Sequence, residues 1–172
     1  MNLGAIITSR LGALFATIFI LQVSVVPHFR LGGYVIDLPL ILVVLVGLHL
    51  TPQNGSLTGF MVGLMIDLAL ETPFGMTALT FSLIGFAAGS ASPHVVERSV
   101  IIRALTVALL GATATALFAG FGVLIGLEYV SRRELGDIAL VTAVAAIPIA
   151  TLLSPLVRWS LALRSSPVTS DQ

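Results

Sequence analysis

The chain alternates long apolar runs with short polar stretches that are rich in proline, glycine and arginine. Runs of this kind predict membrane-spanning helices, because only helices and closed barrels satisfy their backbone hydrogen bonds in lipid. A barrel would instead show segments of about ten residues with alternating polarity. We therefore predict an all-α integral membrane protein with six helical segments, at about residues 3–26, 36–50, 55–70, 75–92, 103–127 and 138–163.

The second and third segments are short for a membrane span. The sixteen residues of 55–70 reach only about 24 Å at ~1.5 Å per residue, against roughly 30 Å of hydrocarbon. Two interpretations stay open, a re-entrant pair or a pair buried behind longer neighbours. In both cases the pair returns the chain to the side from which it came, so the rest of the topology is unaffected.

Composition supports the membrane interpretation and excludes several other classes. The chain is 57% apolar and 9% charged, whereas a soluble domain carries about 25% charged residues. It has no cysteine, which excludes disulfides, thiol nucleophiles and thiolate metal sites. No basic run that could bind nucleic acid is present. Because His28, His49 and His94 are scattered, no shared metal site is predicted.

The arginines set the expected orientation, since basic residues are enriched on the cytoplasmic side of a membrane protein. If the N-terminus is inside, five arginines face the cytoplasm, namely Arg10, Arg98, Arg103, Arg158 and Arg164. Three face outward, namely Arg30, Arg132 and Arg133. We therefore expect both termini in the cytoplasm. We also expect a single transmembrane domain over 1–164 and a disordered tail over 165–172.

A ladder of small residues runs along the third segment and recurs in the fourth. Residues four apart share one helix face, and glycines on such a face let another backbone approach closely. Internal packing of the bundle is the favoured interpretation. The alternative is a face for a partner protein, for which Gly59→Leu would uncouple the partner and leave the fold intact. The face comprises Gly55, Gly59, Gly63, Gly85 and Gly89.

Asp67 continues this ladder and is the main candidate for chemistry, since an acid within a membrane segment can carry protons or ions. It lies near the end of its segment, however, where a carboxylate opposes the helix dipole and needs hydrogen-bond donors. The nearest donors are the unpaired N–H groups of Gly75, Met76 and Thr77, which begin the next helix after a turn made compact by Pro73. We favour a structural clasp between the two helices, with proton carriage as the alternative.

Asp37 precedes a Leu-Pro pair at the start of the second segment. This position is typical of a helix N-cap, whose carboxylate also suits the positive end of the helix, and a ligand contact is the alternative. The chain contains no nucleophile elbow, zinc-protease motif or phosphate loop. We therefore predict no enzymatic activity and no cofactor.

Residues 36–89 combine these features in a definite order. Asp-Leu and an apolar run are followed by a turn with proline and glycine, G-x-x-x-G-x-x-x-D, P-x-G-x-x-A-L and a glycine-containing helix. This order resembles the rod shape-determining MreD family over about a third of the chain, although the turn at 50–54 lacks the arginine expected there. The matching residues are Asp37 and Leu38, Pro52 and Gly55, Gly59, Gly63 and Asp67, Pro73, Gly75, Ala78 and Leu79, and Gly85 and Gly89.

The resemblance implies a non-enzymatic scaffold of the cell-elongation complex in the bacterial inner membrane, which supports cell shape and peptidoglycan synthesis. Its implied partners are MreC, RodA with its penicillin-binding transpeptidase, and MreB indirectly. A lipid in a groove between helices and a second copy of the chain are further candidates.

The family also looks similar in fold to the six-helix substrate-binding subunits of energy-coupling-factor vitamin transporters. The alternative function is therefore a solute-binding subunit of such a transporter. One tryptophan and two tyrosines, at helix ends or in loops, would equip a solute pocket poorly, which favours the scaffold. An intramembrane enzyme or a lipid flippase has only Asp67 in its favour.

Overall fold

Six α-helices dominate the computed structural model, which describes residues 3–28, 30–31, 34–69, 75–95, 99–126 and 132–161. The helices are α1 (Leu3–Ser24), α2 (Leu38–Gly47), α3 (Pro52–Ala69), α4 (Met76–Val95), α5 (Val100–Leu124) and α6 (Arg132–Ser160). Between α1 and α2 lie a 3-10 turn, Val26–His28, and two antiparallel two-residue strands, β1 (Arg30–Leu31) and β2 (Tyr34–Val35). Apart from this ladder the described residues are all-helical, which confirms the predicted six-helix class.

The helix bounds differ from the predicted segments by up to three residues, except at the start of α6, where the difference is six. The α2 helix covers only Leu38–Gly47, because the chain is capped before it and turns directly after it. The α6 helix begins at Arg132, six residues before the predicted segment at 138. Its first turn is charged, so an apolar pattern alone could not include it. The predicted tail at 165–172 lies outside the described residues.

Three helical stretches are long and apolar enough to cross a membrane: Ser9–His28, Val100–Leu124 and Gly136–Ser160. Their exposed residues include large aliphatic side chains such as Leu109, Leu124 and Leu152. An outer surface of this kind suits contact with lipid, where apolar exposure carries no penalty. The chain is thus a membrane protein in which α1, α5 and α6 meet the length and hydropathy of a span.

The centre of the bundle is occupied by α2. Nine of its ten residues are buried, and it contacts each of the other five helices. Its sequence, LPLILVVLVG, is apolar on every side, which is the pattern of a helix enclosed by protein. Of the two interpretations of the short second segment, burial behind longer neighbours is the one that the structure supports.

Four of the five remaining helices pack in two pairs around α2, and the bundle has two distinct ends. Helices α3 and α4 form one antiparallel hairpin, and α5 and α6 form another. One end, which we call the arginine end, is where α1 begins and α6 finishes, and it carries Arg10, Arg103 and Arg158. The opposite end, which we call the Asp67 end, holds the three acids whose side chains are described: Asp37, Asp67 and Asp137.

Candidate functional site

The glycine face of α3 lies directly against the backbone of α4. A Cβ atom added to Gly59 would collide with the carbonyl oxygen of Phe81, and one added to Gly55 would collide with that of Gly85. Contacts this close are available only to glycine and allow dispersion and weak Cα–H···O contacts to hold two helices together in lipid. The two helices of the hairpin are therefore held together by direct contact between their backbones.

The same fit continues toward both ends of the hairpin. A Cβ on Gly63 would lie 2.5 Å from the Cα of Ala78, and one on Gly89 would lie 2.7 Å from the Cα of Pro52. Both distances are far shorter than ordinary van der Waals contact. All five glycines of the predicted face thus pack between α3 and α4 within this chain. Because α4 fills the face, it is not a free surface for a partner.

Asp67 lies beside this interface, two residues before α3 ends, and is 4% exposed. The N–H groups of Gly75 and Ala78 each donate to its Oδ2 at 3.0 Å, and the N–H of Thr77 donates to its Oδ1 at 3.2 Å. These donors belong to the first turn of α4, whose N–H groups have no partner within the helix. Hydrogen bonds from backbone N–H groups to an ionised acceptor are stronger than neutral ones, and the positive end of the helix dipole adds to them.

The conformation of Gly75 explains how the carboxylate reaches these donors. Gly75 has a φ of +92°, a left-handed conformation that glycine adopts without penalty. This conformation lets the chain enter α4 with its N–H groups directed at Asp67. The sequence suggested Gly75, Met76 and Thr77 as donors; Gly75 and Thr77 do donate, and Ala78 donates as well. Pro73, the predicted turn residue, lies outside the described residues.

A second polar link across the hairpin was not anticipated from the sequence. The hydroxyl oxygens of Ser56 and Ser82 lie 2.8 Å apart and form an interhelical hydrogen bond. Such a bond is worth about 0.6–2 kcal/mol between membrane helices. Its only signal in the sequence is that each serine lies next to the glycine ladder or within one turn of it.

Asp37 caps α2 at the Asp67 end of the bundle. Its Oδ1 accepts a hydrogen bond from the N–H of Leu40 at 3.0 Å, and the N–H of Leu38 donates to Oε1 of Gln22 in α1 at 3.0 Å. Two N–H groups in the first turn of the buried helix thus have acceptors, one in Asp37 and one in Gln22. The N–H groups at a buried helix end need acceptors of this kind, because they have none within the helix. The contribution of Gln22 could not be read from the sequence, since it lies sixteen residues from Leu38.

The arginine end has a different character. Arg103, near the start of α5, is 9% exposed, and its Nε has no hydrogen-bond partner among the described residues. The guanidinium of Arg10 stacks on the ring of Trp159 at 4.8 Å from the ring centroid, which links the start of α1 to the end of α6. Nothing in the order of residues pairs Trp159 with Arg10, so this contact could not be predicted from the sequence.

The family model described as rod shape-determining protein MreD matches residues 5–160. The chain belongs to the MreD family. The match extends the resemblance from residues 36–89 to nearly the whole chain and includes most of every helix. No curated protein and no solved structure matched the chain.

Family membership places this MreD chain in the system that determines rod shape, and the family is a structural one rather than a family of enzymes. The expected similarity in fold to energy-coupling-factor subunits is not shown, since no solved structure matched. Of the three histidines, His28 and His94 are exposed and His49 is half-buried. In the part of MreD that the structure describes, no three metal-ligating residues come together.

Proposed function

We propose that this MreD chain is a non-enzymatic scaffold of the bacterial cell-elongation complex in the inner membrane. In this role it binds MreC and, with it, RodA and its penicillin-binding transpeptidase, while MreB is linked indirectly. The observation that carries the proposal is the use of Asp67. The one acid that sequence reasoning singled out for chemistry accepts three backbone hydrogen bonds within its own hairpin. A protein built in this way acts through the shape of its surfaces.

The outer face of the α3–α4 hairpin is the surface best suited to a partner. It exposes large side chains, among them Phe60 and Met61 on α3 and Phe86 on α4. Aromatic residues and methionine are enriched in protein interfaces. Among the described residues, neither α3 nor α4 is one of the helices that are long and apolar enough to count as a span. We assign this face to MreC.

The orientation follows from charge. The arginine end carries Arg10, Arg103 and Arg158, and the predicted topology adds Arg98 and Arg164 to the same side, against three arginines on the other side (Arg30, Arg132 and Arg133). Basic residues concentrate on the cytoplasmic side. The proposal therefore places the arginine end and both termini in the cytoplasm. The Asp67 end then faces outward, on the side where the cell wall is built.

Co-purification of MreC with the full-length chain from detergent-solubilised membranes tests the proposal. The double variant Phe60→Ala with Phe86→Ala should reduce the amount of MreC recovered by about tenfold or more, since buried aromatics dominate interface energy. The matched control removes two exposed leucines of α5, Leu105→Ala with Leu109→Ala, and should recover MreC as the wild type does.

Two results would contradict the proposal. One is equal recovery of MreC by the wild type and the Phe60/Phe86 variant, which would show that MreC does not bind the outer face of the α3–α4 hairpin. The other is purification of the wild type with a bound vitamin-like solute and without MreC. That result would favour the alternative function, a solute-binding subunit similar to those of energy-coupling-factor transporters.

A further inference from the structure

A groove between α1 and α6 opens at the arginine end of the bundle. Its volume is about 430 Å³, and its lining includes Arg10, Ala13, Leu14, Leu156 and Trp159. Both helices that form it are apolar and long enough to span a membrane. Along α1 the lining extends from Ser9 to Thr17, which is about 12 Å at ~1.5 Å per residue. The groove is thus an elongated slot on a lipid-facing part of the protein.

The lining combines an apolar floor with one cation. Ala13, Leu14 and Leu156 are aliphatic, and Arg10 lies over the ring of Trp159 at 4.8 Å. A guanidinium that lies over an aromatic face keeps N–H donors available for an anion. Those donors match the oxygens of a phosphate, which arginine binds in a bidentate manner. A ligand that fits both parts has an apolar chain and an anionic phosphate group.

The surrounding charges favour an anion at this end. The acids with described side chains, Asp37, Asp67 and Asp137, all belong to the opposite end. Arg103 and Arg158 lie at the arginine end, and burial followed by the charges of these two arginines lowers the pKa of His49, in the turn after α2. The arginine end therefore carries a positive potential that is not balanced by any described carboxylate near it.

We propose that the α1–α6 groove binds an anionic phospholipid, with an acyl chain against Leu14 and Leu156 and the phosphate on Arg10. A membrane lipid is the occupant because the groove faces the bilayer, its floor is aliphatic, and Arg10, the only cation among its described lining residues, lies at the end where headgroups are found. The site links the composition of the membrane to the position of α1 against α6. It is independent of the proposed contact with MreC.

Trp159 provides a direct test, because it is the only tryptophan of the chain and lines the groove. The full-length protein is reconstituted into phosphatidylcholine vesicles that contain a small fraction of lipid with brominated acyl chains, which quench tryptophan at close range. Brominated phosphatidylglycerol should quench Trp159 at a mole fraction about threefold or more below that needed with brominated phosphatidylcholine. Higher salt should reduce this preference, because it screens the interaction between the arginine and the phosphate.

Two variants assign the preference to the groove. Arg10→Gln should abolish the preference for phosphatidylglycerol. Arg158→Gln removes a neighbouring exposed cation that does not line the groove and should leave the preference in place. If Arg10→Gln does not fold, the salt dependence of the wild type decides, since it needs no substitution.

Three results would overturn the site. The first is equal quenching by the two lipids, which means a groove that takes any acyl chain. The second is an unchanged preference in Arg10→Gln. The third is a lack of quenching by either lipid, which means that a second copy of the chain or a helix of another protein covers Trp159.

Discussion

At the scale of single residues, Asp67 shows how an acid is accommodated in an apolar bundle. Its carboxylate accepts hydrogen bonds from Gly75, Thr77 and Ala78 and is almost fully buried. A buried carboxylate is costly unless it is fully hydrogen-bonded, and here the first turn of α4 supplies the donors. The carboxylate and the N–H groups at the start of α4 therefore stabilise each other, since either would lack hydrogen-bond partners without the other.

This arrangement predicts different effects for two substitutions of Asp67. Asp67→Leu leaves buried N–H groups without an acceptor and should destabilise the protein by about 2–4 kcal/mol. Asp67→Asn keeps one acceptor oxygen and should cost about 1 kcal/mol. Thermal unfolding of the purified variants in mild detergent shows which of the two substitutions destabilises the protein more. Equal destabilisation by both variants would show that the hydrogen bonds are not what stabilises the hairpin.

Gly75 predicts a stability effect of backbone origin. Among the described residues, no atom outside the two chain neighbours lies within 4 Å of a Cβ at this position, but its φ of +92° strains any other residue. Gly75→Ala should therefore lower the stability by about 1–2 kcal/mol. The matched control is Gly120→Ala in α5, which also has open space but a helical backbone, and it should be neutral or slightly stabilising. Equal melting temperatures for the two variants would contradict the assigned strain.

At the scale of elements, the α3–α4 hairpin is the best-defined unit. Its contact surface is a row of glycines rather than interlocking large side chains, so small changes there have large effects. The suggestion that Gly59→Leu would uncouple a partner and leave the fold intact is wrong. The carbonyl oxygen of Phe81 occupies the space that the new side chain needs.

Gly59→Leu should instead separate α3 from α4 and destabilise the bundle by on the order of 3 kcal/mol, as overpacking does at a tight contact. Hydrogen exchange in detergent checks this, and amides of both helices should exchange faster than in the wild type. Met61→Leu, at an exposed position of the same helix, is the control and should exchange normally. Unchanged protection in Gly59→Leu would show that the helices can part without loss of structure.

The sequence predicts this hairpin well because its determinants are local. Glycines spaced by four, an acid one turn later and a short turn define one interface between consecutive helices. The position of α2 and the contact of Arg10 with Trp159 could not be predicted in this way. They depend on packing between residues far apart in the chain, such as Leu38 against Gln22, and no local periodicity encodes them.

At the scale of the whole molecule, the chain is a bundle of helices around a buried apolar one, and its two ends differ in their polar side chains. The acids with described side chains, Asp37, Asp67 and Asp137, belong to one end, and the arginines with described side chains, Arg10, Arg103 and Arg158, belong to the other. The glycine face is used internally, and the outer faces remain for lipid and for other proteins. Membership of the MreD family connects this architecture to rod shape.

The most direct test of the central claim is the shape of rod-shaped cells in which this chain replaces the native MreD. If the protein acts through its surfaces, Asp67→Asn should keep the cells rod-shaped, since the hairpin retains an acceptor and no titrating group is needed. The Phe60→Ala, Phe86→Ala variant should give rounded cells at equal protein level, because the assigned partner face is lost. Rounded cells with Asp67→Asn at normal protein level, together with normal rods for the Phe60 and Phe86 variant, would contradict the account.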